Sequence, residues 1–285
     1  MSVPQTGKDS ARTASGTQTK RRQRWFEFKK PIPMTRAVVL GITIWVLFFA
    51  LWELVNLAGW SSELLLPTPQ TVVVKLYELY AHDNFIIDVL VSILRIVVSF
   101  AIVCLIAVPL GILMGSFQTV EKFVNPLVSA WRYLTAPSLI PLLLMWLGSG
   151  DESKLALLVL GAIWFMLTLI MDHTKAVRNE LIETSVTLGG NRWQVLWTVV
   201  VPGVMPNVVT AMRQMLAISW TYLVIAEIVA ATDGIGAMMI QAKRFIHVDK
   251  IMAGILMIGI LGLLFDFMFR YLHRVLFTYL DERES

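Results

Sequence analysis

Long stretches without a charged residue are the dominant feature of this chain. A helix crosses a bilayer with about 20 mostly apolar residues. Six charge-free stretches approach or reach that length: 37–52, 96–120, 133–150, 155–171, 193–212 and 251–265. The chain is 15% charged, whereas a soluble domain carries about 25%. The ten-residue alternation typical of barrel strands is not seen in the sequence. The sequence therefore predicts an all-α integral membrane protein with about six transmembrane helices.

The predicted spans divide the chain into a membrane domain and two tails. We place the spans at 37–58, 88–115, 123–147, 154–172, 206–231 and 251–276. Residues 1–36 form a basic tail too poor in apolar residues to fold alone, and aromatics between its last lysines suit the headgroup level. A cleaved signal peptide is disfavoured, because the run from residue 37 is long and bulky residues follow it. Residues 37–278 form the membrane domain, and 279–285 form a C-terminal tail.

The distribution of basic residues predicts the orientation. Six spans place both termini on one side. Of the 24 Lys and Arg residues, sixteen fall on that side, five on the other and three within spans. The positive-inside rule then places both termini, and the polar segment 173–205, in the cytoplasm. The net charge of +4 is explained by this topology, and nucleic-acid binding is not expected.

Two further elements are predicted on the opposite, outer face. Thr68 can cap a helix that begins at Pro69, since proline suits the first helical position. Residues 233–249 form a second element, which Gly234 and Gly236 separate from the fifth span. The single Cys104 lies in an apolar run and is expected to be a small buried residue. No Cys/His cluster indicates a metal site.

A patterned polar segment interrupts the apolar runs at 183–202. Asn191 and Gln194 have the spacing of a capping box, in which each side chain bonds a backbone N–H of the helix start. Gly189 and Gly190 allow the preceding helix to end in a left-handed conformation. Pro202 is expected to stop or kink the short helix before the next span. These rules predict a compact protruding element.

The same segment resembles the EAA motif of permease subunits in ABC importers. That motif reads Glu-Ala-Ala, three residues, Gly, nine residues, Ile, one residue, Leu-Pro. Here Glu183 is followed by Thr184 and Ser185 in place of the alanines, then by Gly189, and by valines before Pro202. The stretch 188–195 is also similar to the family's Leu-Gly-Ala-Ser-Arg-Trp-Gln-Val. Other matching stretches resemble the branch that serves nitrate, sulfonate, taurine and bicarbonate: 66–69, 92–95, 224–228, 234–236, 253–259 and 261–266.

The resemblance implies a type I ABC importer (MetI-like) permease fold and a set of partners. The 183–202 element would be a coupling helix that sits in a groove on a cytoplasmic ATP-binding subunit, and an amphipathic surface loop is the alternative. The residues implied in coupling are Glu183, Thr184, Ser185, Leu188, Gly189, Gly190, Asn191, Arg192, Trp193 and Pro202. Two ATP-binding subunits, a second copy of this chain and a periplasmic or extracellular solute-binding protein would complete the importer in the bacterial inner membrane.

The sequence contains no ATP-binding motif. It lacks the Gly-x-x-x-x-Gly-Lys-Ser/Thr phosphate loop, so ATP and Mg²⁺ would be bound by partner ATPase subunits and no cofactor is expected in this chain. No nucleophile–base pair or His-Glu-x-x-His motif is found, and we expect no catalytic residue. The histidines are expected to be surface side chains.

Charged and polar residues within spans are candidates for a substrate route, because charge inside a membrane is costly. Arginines pair readily with anionic oxygens. Arg95 and Arg213 could instead reach lipid headgroups, or pair as structural ties with acids such as Asp88 and Glu227. Pro137 and Pro141 break the third span, which is tolerated where backbone lines a cavity. The route candidates are Arg132, Tyr133, Thr135, Ser138, Arg213, Ser219, Trp220 and Glu227.

The predicted function is ATP-driven import of a small anion of the sulfonate/taurine, nitrate or bicarbonate type. An ABC permease for another small solute, such as a pyrimidine precursor, is the alternative within the class. An ion-gradient-driven secondary transporter is a different class, and it predicts transport by this chain alone.

Overall fold

The computed structural model describes residues 34–59, 62, 65–82, 84–230 and 232–278. The predicted C-terminal tail, and all but the last three residues of the predicted N-terminal tail, lie outside these residues. The chain divides into two compact units, residues 1–50 and 51–285. Within the first unit, the rings of Trp45, Phe48 and Phe49 pack against one another along one helix.

The described residues fold into helices joined by short turns. Their bounds are α1 Met34–Leu57, α2 Pro69–His82, α3 Phe85–Ser116, α4 Gln118–Arg132, α5 Ile140–Leu147, α6 Asp151–Lys175, α7 Asn179–Thr187, α8 Arg192–Val195, α9 Val201–Ala230, α10 Ile235–Arg244 and α11 Val248–Leu276. A 3₁₀ turn, Ala136–Leu139, precedes α5, and a π-helical turn, Leu196–Val200, joins α8 to α9.

Five of the described helices are long and apolar enough to cross a membrane, and a sixth span results if the bent pair α4 and α5 is counted as one. This confirms the predicted number of spans. The two halves of the third span meet at 85° across residues 132–136. Pro137 lies in the 3₁₀ turn and Pro141 in the first turn of α5, as expected for residues without an N–H to donate.

The core of the second unit is built by α3, α6 and α9. Glycines spaced four apart let α3 approach α6 closely. A Cβ at Gly111 would lie 2.8 Å from the Cβ of Ile170, a separation that real side chains do not tolerate. Phe100 of α3 meets Phe269 of α11 edge to face, with centroids 6.2 Å apart. Gly115 likewise meets Thr174, so the contacts advance in the same direction along both helices and α3 runs parallel to α6.

The helix at the start of the fifth span is longer than predicted. Pro202 was expected to stop or kink the short capped helix, and it does not stop it: α8, the π-helical turn and α9 form one continuous helix, Arg192–Val229. Pro202 is the second residue of α9 and follows directly on the π-helical turn. The π-helical turn before it changes the hydrogen-bond register without ending the helix. The predicted span at 206–231 is therefore the later part of a longer helix.

The two predicted outer elements are confirmed as helices. Thr68 caps α2, with its Oγ1 accepting a bond from the N–H of Thr71 at 3.3 Å. The other element forms α10, which Gly234 precedes with a φ of 107°. The indole N–H of Trp52 donates to the carbonyl of Pro67 at 3.1 Å and fixes the approach to α2.

Candidate functional site

The 183–202 element consists of α7, a glycine turn and the start of the long α8–α9 helix. Gly189 has a φ of 90°, a conformation that favours glycine. The N–H of Gly190 donates to the carbonyl of Ser185 at 3.0 Å and closes the turn. Asn191 and Gln194 form the predicted capping box, with both bonds at 2.9 Å. The predicted sequence of helix, glycine turn and capped helix is confirmed.

Large apolar side chains project from this element. Leu188 is 83% exposed and Trp193 is 61% exposed. Glu183, Thr184 and Arg192 are exposed as well. Exposed apolar residues beside charged ones are typical of a surface that binds another protein. The element therefore presents a mixed apolar and charged surface on a rigid, hydrogen-bonded frame.

The element is anchored to the bundle by buried side chains of the α8–α9 helix. Val195, Leu196 and Val200 are buried, and the ring of Trp193 meets that of Phe117 with centroids 5.9 Å apart. Elsewhere a cleft of about 480 Å³ separates the element from the ends of α3, α4 and α6. These buried side chains lie on the α8–α9 helix, which continues as the fifth span.

A buried charge cluster lies at the opposite end of the same helices. Arg95 of α3 is 3% exposed and Glu227 of α9 is fully buried, and they pair at 2.9 Å. The same guanidinium donates to Asp151 at 2.6 Å and to Asp233 at 2.7 Å. Lys154 pairs with Asp151 at 3.1 Å. Charges buried in a membrane protein persist when they are paired in this way.

The charge cluster also holds the turn that leads into α10. The N–H groups of Gly234, Ile235 and Gly236 donate to Asp88, to Ser92 and to Glu227, at 2.9, 3.0 and 2.9 Å. A Cβ at Gly236 would lie 2.6 Å from the Cβ of Glu227, so the turn requires glycine there. The cluster thus ties α3, α6 and α9 to the α9–α10 turn.

Hydrogen bonds from Arg95 hold the pKa of Asp233 below its ordinary value. A carboxylate with a lowered pKa stabilises the folded state above its unfolded pKa, and the stabilisation is lost as the pH falls through the folded pKa. Asp233 therefore stays ionised, and the turn stays attached to Arg95, at neutral pH.

The predicted route candidates fall into separate groups. Glu227 joins Arg95 in the cluster, which is the structural tie named as the alternative to a route. Arg213 pairs with Asp266 at 2.8 Å. Ser219 donates to the carbonyl of Met215 at 3.0 Å, and Trp220 is buried with its indole N–H unpaired among the described residues. A role of these residues in transport therefore stays a prediction.

The remaining candidates lie at the bend of the third span. Tyr133 is 80% exposed. The guanidinium carbon of Arg132 lies over the ring of Tyr133, 5.6 Å from the ring centroid. Ser138 donates to the carbonyl of Thr135 at 2.7 Å. The adjacent 3₁₀ turn packs against the middle of α6 and α9, since a Cβ at Gly161 would meet Ala136 and Tyr222. The bend therefore lies beside the core helices.

Sequence reasoning missed several members of these sites. Asp151, Lys154 and Asp233 were not proposed as partners of Arg95, although Asp151 and Lys154 have the three-residue spacing of a helix pair. Asp266, the partner of Arg213, was also missed. Among the described residues, no group of three His, Cys, Asp or Glu side chains could hold a metal ion.

Several membrane-spanning helices, a bent span and a rigid exposed element anchored to one span define a polytopic membrane transport subunit. Residues 107–277 match the family of binding-protein-dependent transport system inner membrane components. The chain is 32% identical to the taurine transport system permease protein TauC of Escherichia coli strain K12, over 85% of this chain and 90% of that one. It is 28% identical to the putative aliphatic sulfonates transport permease protein SsuC of Bacillus subtilis strain 168, over 90% and 93%.

A more distant relative and a solved structure agree with this class. The bicarbonate transport system permease protein CmpB of Synechocystis sp. is 21% identical, over 80% of this chain and 85% of that one. A chain of the MetNI methionine ABC transporter in an inward-facing conformation superposes with a TM-score of 0.61 at 20% identity, covering 67% of this chain and 95% of that one. The fold is therefore that of a type I importer permease.

The chain belongs to the family of binding-protein-dependent transport system inner membrane components. It is a multi-pass permease subunit of an ABC importer, without catalytic activity of its own. Such subunits work with ATP-binding subunits and a solute-binding protein, and the resemblance to the taurine, sulfonate and bicarbonate branch is confirmed.

Proposed function

We propose that this chain carries a small anion of the sulfonate/taurine, nitrate or bicarbonate type across the bacterial inner membrane, driven by two cytoplasmic ATP-binding subunits. Two copies of the chain would form the permease, and a solute-binding protein would deliver the anion at the outer face. ATP and Mg²⁺ would be bound by the ATPase subunits. The observation that carries the coupling part is the rigid, capped element at 183–202 with its exposed Leu188 and Trp193.

The geometry of the element supports a lever. The capping box and the Ser185–Gly190 bond stiffen it, and its buried side chains lie on the helix that continues as the fifth span. A partner that moved Leu188 and Trp193 would therefore move α9 as well. Conformational coupling of this kind needs a body that transmits displacement without bending.

The charge distribution supports an orientation with the element in the cytoplasm. Sixteen of the 24 Lys and Arg residues fall on the face that carries the element and both termini, and five on the other. The charge cluster around Arg95 would then lie near the outer face. The solute-binding protein would meet the surface formed by α2 and α10.

The names of the relatives support the anion class. TauC and SsuC are named for taurine and aliphatic sulfonates, and CmpB for bicarbonate. The third-span bend, with Arg132, Tyr133, Thr135 and Ser138, is the proposed part of the route that sets selectivity. Arg213, Ser219 and Trp220 of α9 are further candidates.

Uptake into proteoliposomes tests the function. Vesicles contain this chain with its ATPase subunit and its solute-binding protein, and they receive labelled taurine, ethanesulfonate, nitrate or bicarbonate. We expect one of these anions to accumulate only when ATP and the binding protein are both present. Vesicles with this chain alone and a proton or sodium gradient are the control. Accumulation in the control would replace the ABC mechanism with secondary transport, and ATP-driven uptake of a neutral solute alone would overturn the anion class.

A further inference from the structure

A cleft between α9 and α11 carries an unusual excess of positive charge. It has a volume of about 250 Å³. Three arginines and a histidine line it together with two apolar side chains and a hydroxyl: Arg213, Arg270, Arg274, His273, Val209, Phe269 and Thr210. A charged side chain within a membrane protein is costly unless something neutralises it. The cleft therefore concentrates positive charge that an anion can neutralise.

Among the described residues, one carboxylate pairs with these arginines. Asp266 accepts from the Nε–H of Arg270 at 2.8 Å, and its other oxygen lies 2.8 Å from Nε of Arg213. Arg274 has no ion pair in the part of the chain that the structure describes. Arg270 and Arg274 are four residues apart on one helix face, where like charges repel. Among the described residues, the positive charge of Arg274 is therefore left without a carboxylate partner.

The surroundings of the cleft are those of a bilayer surface. Apolar side chains exposed on the same half of α11 include Phe267 and Tyr271, which are 69% and 65% exposed. Arg270 and Arg274 lie within the last two turns of α11, which ends at Leu276. Arginines at this depth meet lipid phosphates, and basic pockets between spans on the cytoplasmic side bind anionic headgroups. Guanidinium groups match phosphate oxygens in geometry and charge.

We propose that this cleft binds the phosphodiester headgroup of an anionic lipid, with Arg270 and Arg274 on the phosphate and the acyl chains against the exposed apolar face of α11. The lipid would neutralise the cleft and bridge α9 to α11. Placement in the inner leaflet rests on the orientation proposed above. Binding itself does not, so the two proposals fail separately.

The test measures lipid binding to the purified full-length chain by native mass spectrometry. Phosphatidylglycerol and phosphatidylcholine with identical acyl chains are the probes. We expect phosphatidylglycerol to be retained about 25-fold more strongly, with about fivefold from each of the two arginines near the lipid phosphate. Arg274→Gln should remove about fivefold of this preference, and the double variant Arg270→Gln/Arg274→Gln should abolish it.

A matched control removes two basic residues from the same end of the molecule. Lys122 and Arg178 are exposed and lie outside the cleft, so Lys122→Gln/Arg178→Gln should keep the full preference. Because Arg274 is in no ion pair among the described residues, Arg274→Gln should unfold at the temperature of the unmodified chain in phosphatidylcholine nanodiscs. That result separates loss of a ligand from loss of structure.

Three results would overturn the lipid site. The first is equal retention of the two lipids by the unmodified chain. The second is an equal preference in Arg274→Gln and in the control. The third is displacement of phosphatidylglycerol by excess methanesulfonate or inorganic phosphate, which would make the cleft a site for a small soluble anion.

Discussion

Replacing Gly190 with valine is expected to lower ATP-driven uptake at least about tenfold while ATP hydrolysis by the partner subunits continues. The new Cβ would lie 2.8 Å from the carbonyl oxygen of Ser185 and 3.1 Å from its Oγ. The turn must then open, and the bond from the N–H of Gly190 to that carbonyl is lost. An element that bends absorbs the partner's displacement, and the loss of about tenfold corresponds to only about 1.4 kcal/mol. The ratio of anion transported to ATP hydrolysed measures the effect.

The control for this variant is valine at Gly259 of α11. A Cβ there meets nothing within 4 Å, so Gly259→Val changes the same residue type in a span without a clash. It should keep the ratio of the unmodified chain. An unchanged ratio in Gly190→Val would remove the requirement for a rigid element.

Replacing Glu227 with leucine is expected to destabilise the folded chain by about 3–5 kcal/mol, the cost of leaving a buried charge without its partner. Glu227 is fully buried. Ser92 donates to it at 2.7 Å, Arg95 at 2.9 Å and the N–H of Gly236 at 2.9 Å. Asp151 and Asp233 still face Arg95 after the change, so the lower half of this range is expected. Denaturant unfolding of the purified protein gives the value.

An exposed ion pair provides the comparison for Glu227→Leu. Lys75 lies 3.6 Å from Asp249 and 2.9 Å from Glu78, with its side chain 25% exposed. Hydrogen bonding to Glu78 raises the pKa of Lys75, yet exposed pairs contribute only about 0–1 kcal/mol. Lys75→Met should therefore change the unfolding free energy little. A loss as large as that of Glu227→Leu would mean that burial does not set the strength of the cluster.

Local sequence rules predicted those parts of the 183–202 element that depend on neighbouring residues. The capping box needs only Asn191 and Gln194, and the left-handed turn needs only Gly189, so both could be read from the sequence. The path of the chain after the element could not be read from the sequence. A proline normally stops a helix. Here a π-helical turn of five residues precedes Pro202 and the helix continues beyond it. No local sequence signal marks such a turn.

Long-range partners account for the rest of what the sequence left open. Arg95 was identified as a charge within a span, with a route or a structural tie as alternatives. Its partners Asp151 and Asp233 are 56 and 138 residues away, and both flank spans where exposed carboxylates are common. Only the packing of α3, α6 and α9 brings them to one guanidinium. Asp266 was missed for the same reason, because only the packing of the helices places it beside Arg213.

The two ends of the bundle have different mechanical properties. At the Arg95 end, ion pairs and backbone bonds hold three spans and the α10 turn together. At the other end, the 183–202 element is held by buried side chains of the α8–α9 helix and borders a cleft of about 480 Å³. A force applied to the element would therefore move the near ends of the spans more than the far ends.

The most direct test of the coupling proposal is a crosslink from Leu188, which is 83% exposed, to the ATPase subunit. The native Cys104 is replaced by serine, Leu188 by cysteine, and the new thiol is labelled with benzophenone maleimide in the assembled importer. Illumination should join this chain to the ATPase subunit. The same label at Phe245→Cys, which is 73% exposed at the far end, should not. Absence of the adduct at position 188, or equal adducts at both positions, would contradict the account.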